Sequence, residues 1–462
     1  MIRSRNDSTV NTPGIQLKIT ACLLIVLFAG WYVVVPSSPA HPGAAADQSV
    51  ISNPLRNSIK TDWGGYIKFR GAVSWLDDDS FYSLVGTGTY LDGSAEGRLK
   101  NRLYLGSSVY FDTHYEMILS GGDTRRKQSE LKKLFAGWAV ERYLSGKITD
   151  NRRLMNLTKT LNDHDNYILY HRLDRLVLTV QQRQCVFRIG RQAVTWGNGF
   201  LFNPMDLFNP FAPTDIEREY KIGDDMAHAQ IAFGMSGDAQ FLYVPRRDPS
   251  TGELSEDQDS LAGKIHFALG ATEFDIMIAS HFEDHVIGAG CSGYWGDTAW
   301  RLDAAWTHTD EESNKNNFLS LVANIDYSWV WWNKNFYGFL EGFYNGLGDD
   351  NYSESIMDND ITERLDRGEL FTLGRYYLGG HIRMEVHPLV NIFLTVINNM
   401  DDPSGILQPS LTWDITQNLQ FTCGGNIFYG GRETEYGGFK IIPTDILIKT
   451  PDNAYAWLTW YF

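Results

Sequence analysis

The chain reads as an all-β protein: a transmembrane antiparallel up-and-down β-barrel of about 18 strands. Three observations predict it. Residues 454–462, Ala-Tyr-Ala-Trp-Leu-Thr-Trp-Tyr-Phe, put Phe462, Trp460, Leu458, Ala456 and Ala454 on one parity and hydroxyls and amphipathic rings on the other. Successive strand side chains point to opposite faces, so one face is wholly apolar and suits lipid. From residue 63 onward, short apolar/polar alternations are separated by breaks that alternate between tight and long. Beyond the leader, no apolar run reaches the length of a spanning helix, about 18 residues.

The N-terminus reads as an export signal. Arg3, Arg5 and Lys18 form a basic leader, 19–35 is apolar apart from Thr20, Cys22 and Gly30, and 36–46 ends in Ala44-Ala45-Ala46. This predicts a signal peptide over 1–46 and a single barrel domain over 47–462, with an uncleaved anchor as the competing reading. Ile19-Thr20-Ala21-Cys22 precedes the apolar run instead of ending it, which argues against lipidation.

Composition agrees. Gly (43), Phe (25), Tyr (23) and Trp (14) are plentiful and Pro (15) is sparse, while the formal net charge is −16. Acids cluster at 77–79, 253–259, 310–312, 349–350, 358–360 and 401–402. This distribution excludes nucleic acid as a partner, since phosphate binding needs clustered Lys and Arg. Cys185, Cys291 and Cys423 lie in predicted strands and are too few for a disulfide scaffold.

Taken in order, tight breaks fall at 112–113, 181–184, 236–238, 270–272, 295–297, 332–335, 387–389 and 416–418. The breaks between them are 77–95, 123–164, 195–227, 246–259, 308–316, 346–369 and 430–453, with short exceptions at 283–285 and 400–405. Tight turns on the periplasmic side and long loops outside are the outer-membrane pattern. The hairpins at 228–246 and 273–294 are weakly marked, and without one of them the count falls to about 16. Every acidic cluster falls in a break on the extracellular side, where carboxylates could bridge divalent cations to lipopolysaccharide or simply solvate loops. In 123–164, Leu131, Leu134, Phe135 and Trp138, and again Leu154, Leu157 and Leu161, recur at helical spacing, which predicts one or two short helices.

Parity assigns the faces. In 63–75 Ile67, Phe69, Val73 and Trp75 meet lipid, which turns Tyr66, Lys68, Arg70 and Ser74 inward. In 96–111 Leu103, Leu105, Val109 and Phe111 meet lipid, which turns Arg98, Lys100, Arg102 and Tyr104 inward. The same argument places Arg188, Gln192, Lys264, His266 and Arg301 in the lumen, with Arg375, His381 and Arg383. Lumenal acids are fewer: Asp275, Asp303, Asp326, Glu341 and Glu385. A base on the lipid face would cost roughly 2–4 kcal/mol at the midplane. The lumen therefore leans basic and would favour anions, unless these bases pair with the acids.

Residues 195–227 stand apart, with Asn-Pro at 203–204 and 209–210, Pro213 and several aromatics. Proline fixes φ, so this break is rigid, and it is too apolar for a loop in water. It is expected to fold into the lumen as a constriction carrying Trp196, Asn203, Asp206, Asp215, Glu217, Arg218, Glu219 and Lys221; a lid over the mouth is the alternative.

Gly190-Arg191-Gln192 followed by Trp196-Gly197 and Asn203-Pro204-x-Asp206 resembles Gram-negative outer-membrane barrels of porin and alginate-export-like type. The resemblance covers this block, the strand pattern and the terminal strand, and implies a substrate-conducting barrel without naming a substrate. No phosphate loop, His-Glu-x-x-His helix or Cys-x-x-Cys pair is present. Asp224-Asp225 with His228, and His281 with Asp284 and His285, sit at the outer rim without a motif, so neither an enzyme nor a cofactor or metal is expected. The reading is an outer-membrane channel, monomeric or a homotrimer, passing small polar, anionic solutes. An acidic-polysaccharide export conduit and a plugged adhesion barrel are the alternatives.

Overall fold

The computed structural model describes residues 59–134, 149–215, 217–309, 316–440 and 447–462. The predicted signal peptide, Phe135, Trp138 and the acids at 310–312 lie outside the described residues.

Antiparallel neighbours run in chain order from β1 (Lys60–Trp75) through β2 (Thr89–Tyr104) to β3 (Val109–Gly122). A short strand, β4 (Thr158–Asp163), flanks only β5 (Tyr167–Gln182), which itself pairs with β3. Next come β6 (Cys185–Gln192), β7 (Asp224–Phe233), β8 (Gly237–Val244), β9 (Ser260–Leu269), β10 (Thr272–His281) and β11 (Asp284–Trp295). They are followed by β12 (Thr298–His308), β13 (Asn317–Trp331), β14 (Lys334–Asn345), β15 (Tyr376–His387), β16 (Val390–Asn399) and β17 (Ser404–Thr416). After β18 (Leu419–Tyr429), a two-strand ribbon of β19 (Phe439–Lys440) and β20 (Leu447–Ile448) precedes β21 (Asp452–Tyr461). The C-terminal β21 pairs back to β1 from Trp75↔Asp452 to Tyr66↔Tyr461, and the ring closes with 18 strands. Closure removes the two unpaired edges that lipid could not solvate.

Alternation decides what each strand shows. On β1, Trp63, Ile67, Phe69 and Trp75 are exposed on the outside, while Tyr66, Lys68 and Ser74 are buried inside. On β21, Leu458 and Trp460 face out, as does Phe462 just after it, and Tyr455, Trp457 and Thr459 face in. The same apolar belt runs through Ile276 and Ile278, Ile287, Leu302, Ile325 and Leu340. An apolar outside around a charged inside reverses the pattern of a water-soluble barrel. Each side chain of that size gains roughly 1.5–3 kcal/mol by leaving water for lipid. This is the architecture of a bacterial outer-membrane barrel.

Three local features differ from the sequence reading. The turn after β2 lies at 105–108, with Gly106 at φ 108°, so Asp112 and Thr113 sit inside β3. At Asp174 the pairing steps from His114↔Arg175 to Tyr115↔Leu173, which makes Asp174 the extra residue of a β-bulge. Buried positions on β5 accordingly switch from Ile168 and Tyr170 to Val177 and Thr179, so strict two-residue parity fails midway. In the 123–164 break, α1 (Asp123–Leu134) forms, with Thr124 N and Oγ1 bonded to Asp92 at 3.0 and 2.6 Å and Leu131 fully buried. No helix forms over the second set of leucines: Leu161 lies in β4, and Leu154 and Leu157 lie in an irregular stretch tied by hydrogen bonds to Asp150 and Arg247.

Candidate functional site

The lumen is built from inward side chains of the wall and from the long segment between β6 and β7. Its densest charge lies on β1, β2, β3 and β5. Lys68 and Arg70 both bond Glu217 of the long segment, and Arg70 also approaches Glu96 at 3.4 Å. Arg98 bonds Glu116 and reaches Asp174 at 3.0 Å; Arg172 bonds the second oxygen of Glu116, and Arg175 meets Asp174 at 2.7 Å. Lys100 bonds the hydroxyl of Tyr220, and Arg102 pairs with Asp112 at 2.6 Å on a half-exposed stretch.

Five members of this network were missed in sequence. Glu96 shares the parity of Arg98 and was legible. Glu116 was hidden by the misplaced turn, and Arg172, Asp174 and Arg175 by the bulge, which brings the consecutive, oppositely charged Asp174 and Arg175 onto one face. The basic wall is thus substantially neutralised by carboxylates of its own.

Elsewhere the inward bases are spaced out. Arg188 contacts His228 at 3.2 Å, and Gln192 donates to the carbonyl of Met226 at 3.3 Å. Lys264 pairs with Asp275 at 2.9 Å, Arg301 with Asp326 at 2.5 Å, and Arg383 lies over the Tyr337 ring at 5.7 Å. Arg375 precedes β15 at the long-loop end, where its Nε bonds the Gly348 carbonyl at 3.1 Å; it is a rim residue. Asp224 and Asp225 are engaged by Arg246 at 2.9 Å and Arg191 at 2.8 Å, and Asp284 by Arg364 at 2.6 Å. These carboxylates are committed to ion pairs. At the same rim, burial raises the Asp150 carboxyl, but Arg153 and Arg191 outweigh it and hold it below its ordinary range. Among the described residues no cluster of His, Cys, Asp or Glu could hold a metal.

The segment between β6 and β7 follows the inside of the ring. Trp196 donates to Gln240 of β8 at 2.9 Å and packs with Met205 and Phe208 against Leu242, Ala262 and Met277. Asn198 gives its backbone N–H and its amide to Asp303 of β12, at 2.5 and 2.9 Å. Glu341 of β14 accepts three successive backbone N–H groups, from Phe200, Leu201 and Phe202, at 2.6, 2.8 and 2.8 Å. Phe200 and Phe202 stack on Phe339 and Phe343, with centroids 4.5 and 4.4 Å apart. Further on, Gln408 of β17 donates to the Thr214 carbonyl at 2.9 Å, and Glu217 and Tyr220 reach β1 and β2.

Within the segment, Asn203 donates to the Trp196 carbonyl at 2.8 Å, and Asp206 pairs with Lys221 at 2.5 Å. Asp215 accepts the Ala212 N–H at 2.8 Å, and Arg218 donates to the carbonyls of Phe200, Ala212 and Pro213. Its charged residues therefore fix the segment to itself and to the wall. Gly197, at φ 80°, supplies the left-handed turn into it.

No protein-family model and no curated protein matches this chain. Among solved structures it is similar to Acinetobacter baumannii OccAB2 and Pseudomonas aeruginosa OccK5 (OpdH), each at TM-score 0.49 and 9% identity over 87% of this chain and 98% of that chain. A BenF-like porin from Pseudomonas fluorescens Pf-5 covers the same shares at TM-score 0.47 and 9% identity. Likenesses at that level carry no argument about solute or mechanism. Ring closure, the outer apolar belt and the charged interior are what put this chain in the bacterial outer membrane.

Proposed function

We propose that the chain is a non-enzymatic channel for small polar, anionic solutes, with the 195–227 segment as its constriction and the long loops on the extracellular side. The observation that carries the reading is the charge left over after pairing. Among the described residues, Lys100, Arg188 and Arg383 have no carboxylate within ion-pair distance. The lumenal carboxylates Asp303 and Glu341 are fully buried behind the long segment, bonded to its backbone N–H groups, and do not reach an aqueous path. A narrow aqueous path with unneutralised guanidinium and ammonium groups raises the local concentration of anions. The contacts of the segment with β8, β12, β14, β17, β1 and β2 support a narrowing inside the ring over a lid above it.

One observation favours a plugged barrel instead: Trp196, Met205 and Phe208 are almost wholly buried, so this part of the segment fills space. Single-channel conductance and reversal potential of the refolded protein under a salt gradient separate the two. A stable anion-selective current is expected, and deletion of 198–222 should enlarge it. A folded barrel without current would overturn the channel reading.

A further inference from the structure

The wall where β21 closes on β1 holds more hydrogen-bond donors than acceptors. Pairing sets Trp457 of β21 opposite Arg70 of β1, and Thr459 opposite Lys68. Trp457, Thr459 and Lys68 are buried, and the Arg70 guanidinium lies over the Trp457 ring at 5.7 Å. The long segment brings one acceptor to this cluster. It is the buried Glu217 carboxylate, with one oxygen on Lys68 and the other on Arg70. The wall's own acid, Glu96, reaches Arg70 only at 3.4 Å and also takes the Tyr66 hydroxyl.

Three polar atoms are left over. Arg70 Nε, Trp457 Nε1 and Thr459 Oγ1 are buried and have no hydrogen-bond partner among the described residues. Buried donors without an acceptor are uncommon and costly in a folded chain. Here they lie on two paired strands, beside two cations. Glu217 meets Arg70 at Nη2 alone, so the forked edge that best fits an oxyanion is only half used. The backbone around Glu217 is fixed by other bonds: Arg218 donates to the carbonyls of Phe200, Ala212 and Pro213, and Lys221 pairs with Asp206. The Glu217 side chain can therefore let go while the segment stays in the ring.

We propose that Lys68, Arg70, Trp457 and Thr459 form an oxyanion-binding site on the solute path, filled at rest by the tethered Glu217 carboxylate, which an incoming carboxylate or phosphate displaces. Arg70 keeps a tenth of its side chain exposed and is where the solute arrives. The solute takes over both cations and the three spare donors, so the buried charges pass from one anion to the next without being stranded. A tethered acid competes at an effective concentration of about millimolar or above. Glu217 thus keeps solute binding weak and helps to expel the bound anion, and conduction requires that a bound solute can leave.

The test is isothermal titration calorimetry of sodium acetate and of sodium phosphate into the full refolded protein, with chloride holding ionic strength constant. Wild type should bind weakly, near the millimolar range. E217Q removes the tethered competitor and should bind at least tenfold more tightly. E96Q removes a charge beside Arg70 without vacating the site and should gain much less. Adding T459V to E217Q should give back about tenfold, the worth of one bond to a charged acceptor. Tightening for acetate alone assigns the site to carboxylates, and for phosphate alone to phosphates. No tightening in E217Q for either ion, an equal gain in E96Q, or a T459V change without effect overturns the site. If E217Q does not fold, T459V and W457F in the wild-type background decide: both remove groups that bond nothing at rest, and both should weaken oxyanion binding.

The role of the site rests on the channel proposed above, and currents recorded in parallel keep the two apart. Current without tightening in E217Q removes the site and leaves the channel. Tightening with no current at any solute concentration leaves the site and removes the channel.

Discussion

Replacing Glu341 by leucine probes what holds the long segment inside the ring. The carboxylate is fully buried and accepts the N–H groups of Phe200, Leu201 and Phe202, with a fourth bond from Asn324 Nδ2 at 3.1 Å. Leucine keeps the volume and removes every acceptor, stranding three consecutive backbone donors. Each unmatched donor costs roughly 1–3 kcal/mol, and bonds to a charged acceptor lie at the upper end. Water in the lumen would recover part of this, so about 3 kcal/mol is the expected loss. The opposing grip of the two phenylalanine stacks is smaller, about 0.5–1.5 kcal/mol each. A loss of that size changes the ratio of seated to unseated segment by roughly a hundredfold. Single-channel recording should show larger or noisier current in Glu341→Leu, with Glu341→Gln intermediate because its amide oxygen still accepts. A correctly folded Glu341→Leu barrel with wild-type conductance and noise would refute the argument that these bonds seat the segment.

Other outcomes follow from the same geometry. Changing Arg188 and Arg383 to Glu should abolish or reverse anion preference in reversal-potential measurements, and unchanged selectivity would remove the leftover-charge argument. Glu217→Ala leaves Lys68 and Arg70 without their shared partner, so the barrel should lose roughly 3–5 kcal/mol in denaturant unfolding. A loss well under 1 kcal/mol would mean that water replaces the carboxylate freely. Deleting Asp174 should restore regular pairing with Arg172 still opposite Glu116, while removing the carboxylate that Arg98 and Arg175 share; the expected result is poor assembly in refolding assays, and normal refolding would show that the bulge residue is dispensable.

Much of the barrel was written locally. The terminal strand and the β1 and β2 faces follow from a period of two, which any strand must obey to meet lipid on one side; the tight and long breaks show where that period is interrupted. Even the weakly marked hairpin at 273–294 forms, as β10 and β11 joined at Phe282 and Glu283, both with positive φ. Parity could not foresee the bulge at Asp174, because one inserted residue is a property of pairing with β3 and leaves no mark in β5 alone. Nor could it say that Lys68 and Arg70 would share Glu217, which lies far along the chain.

The sequence by itself determined most of the barrel strands, the faces they turn to lipid wherever parity is unbroken, and that 195–227 is no ordinary loop. Tertiary structure alone decided how the charges are partnered: Glu341 with three backbone donors, and Lys100, Arg188 and Arg383 without a carboxylate among the described residues. The physical reason is range. Facing is set by neighbours one and two residues away, whereas a charge is matched by whatever ring closure brings across the lumen.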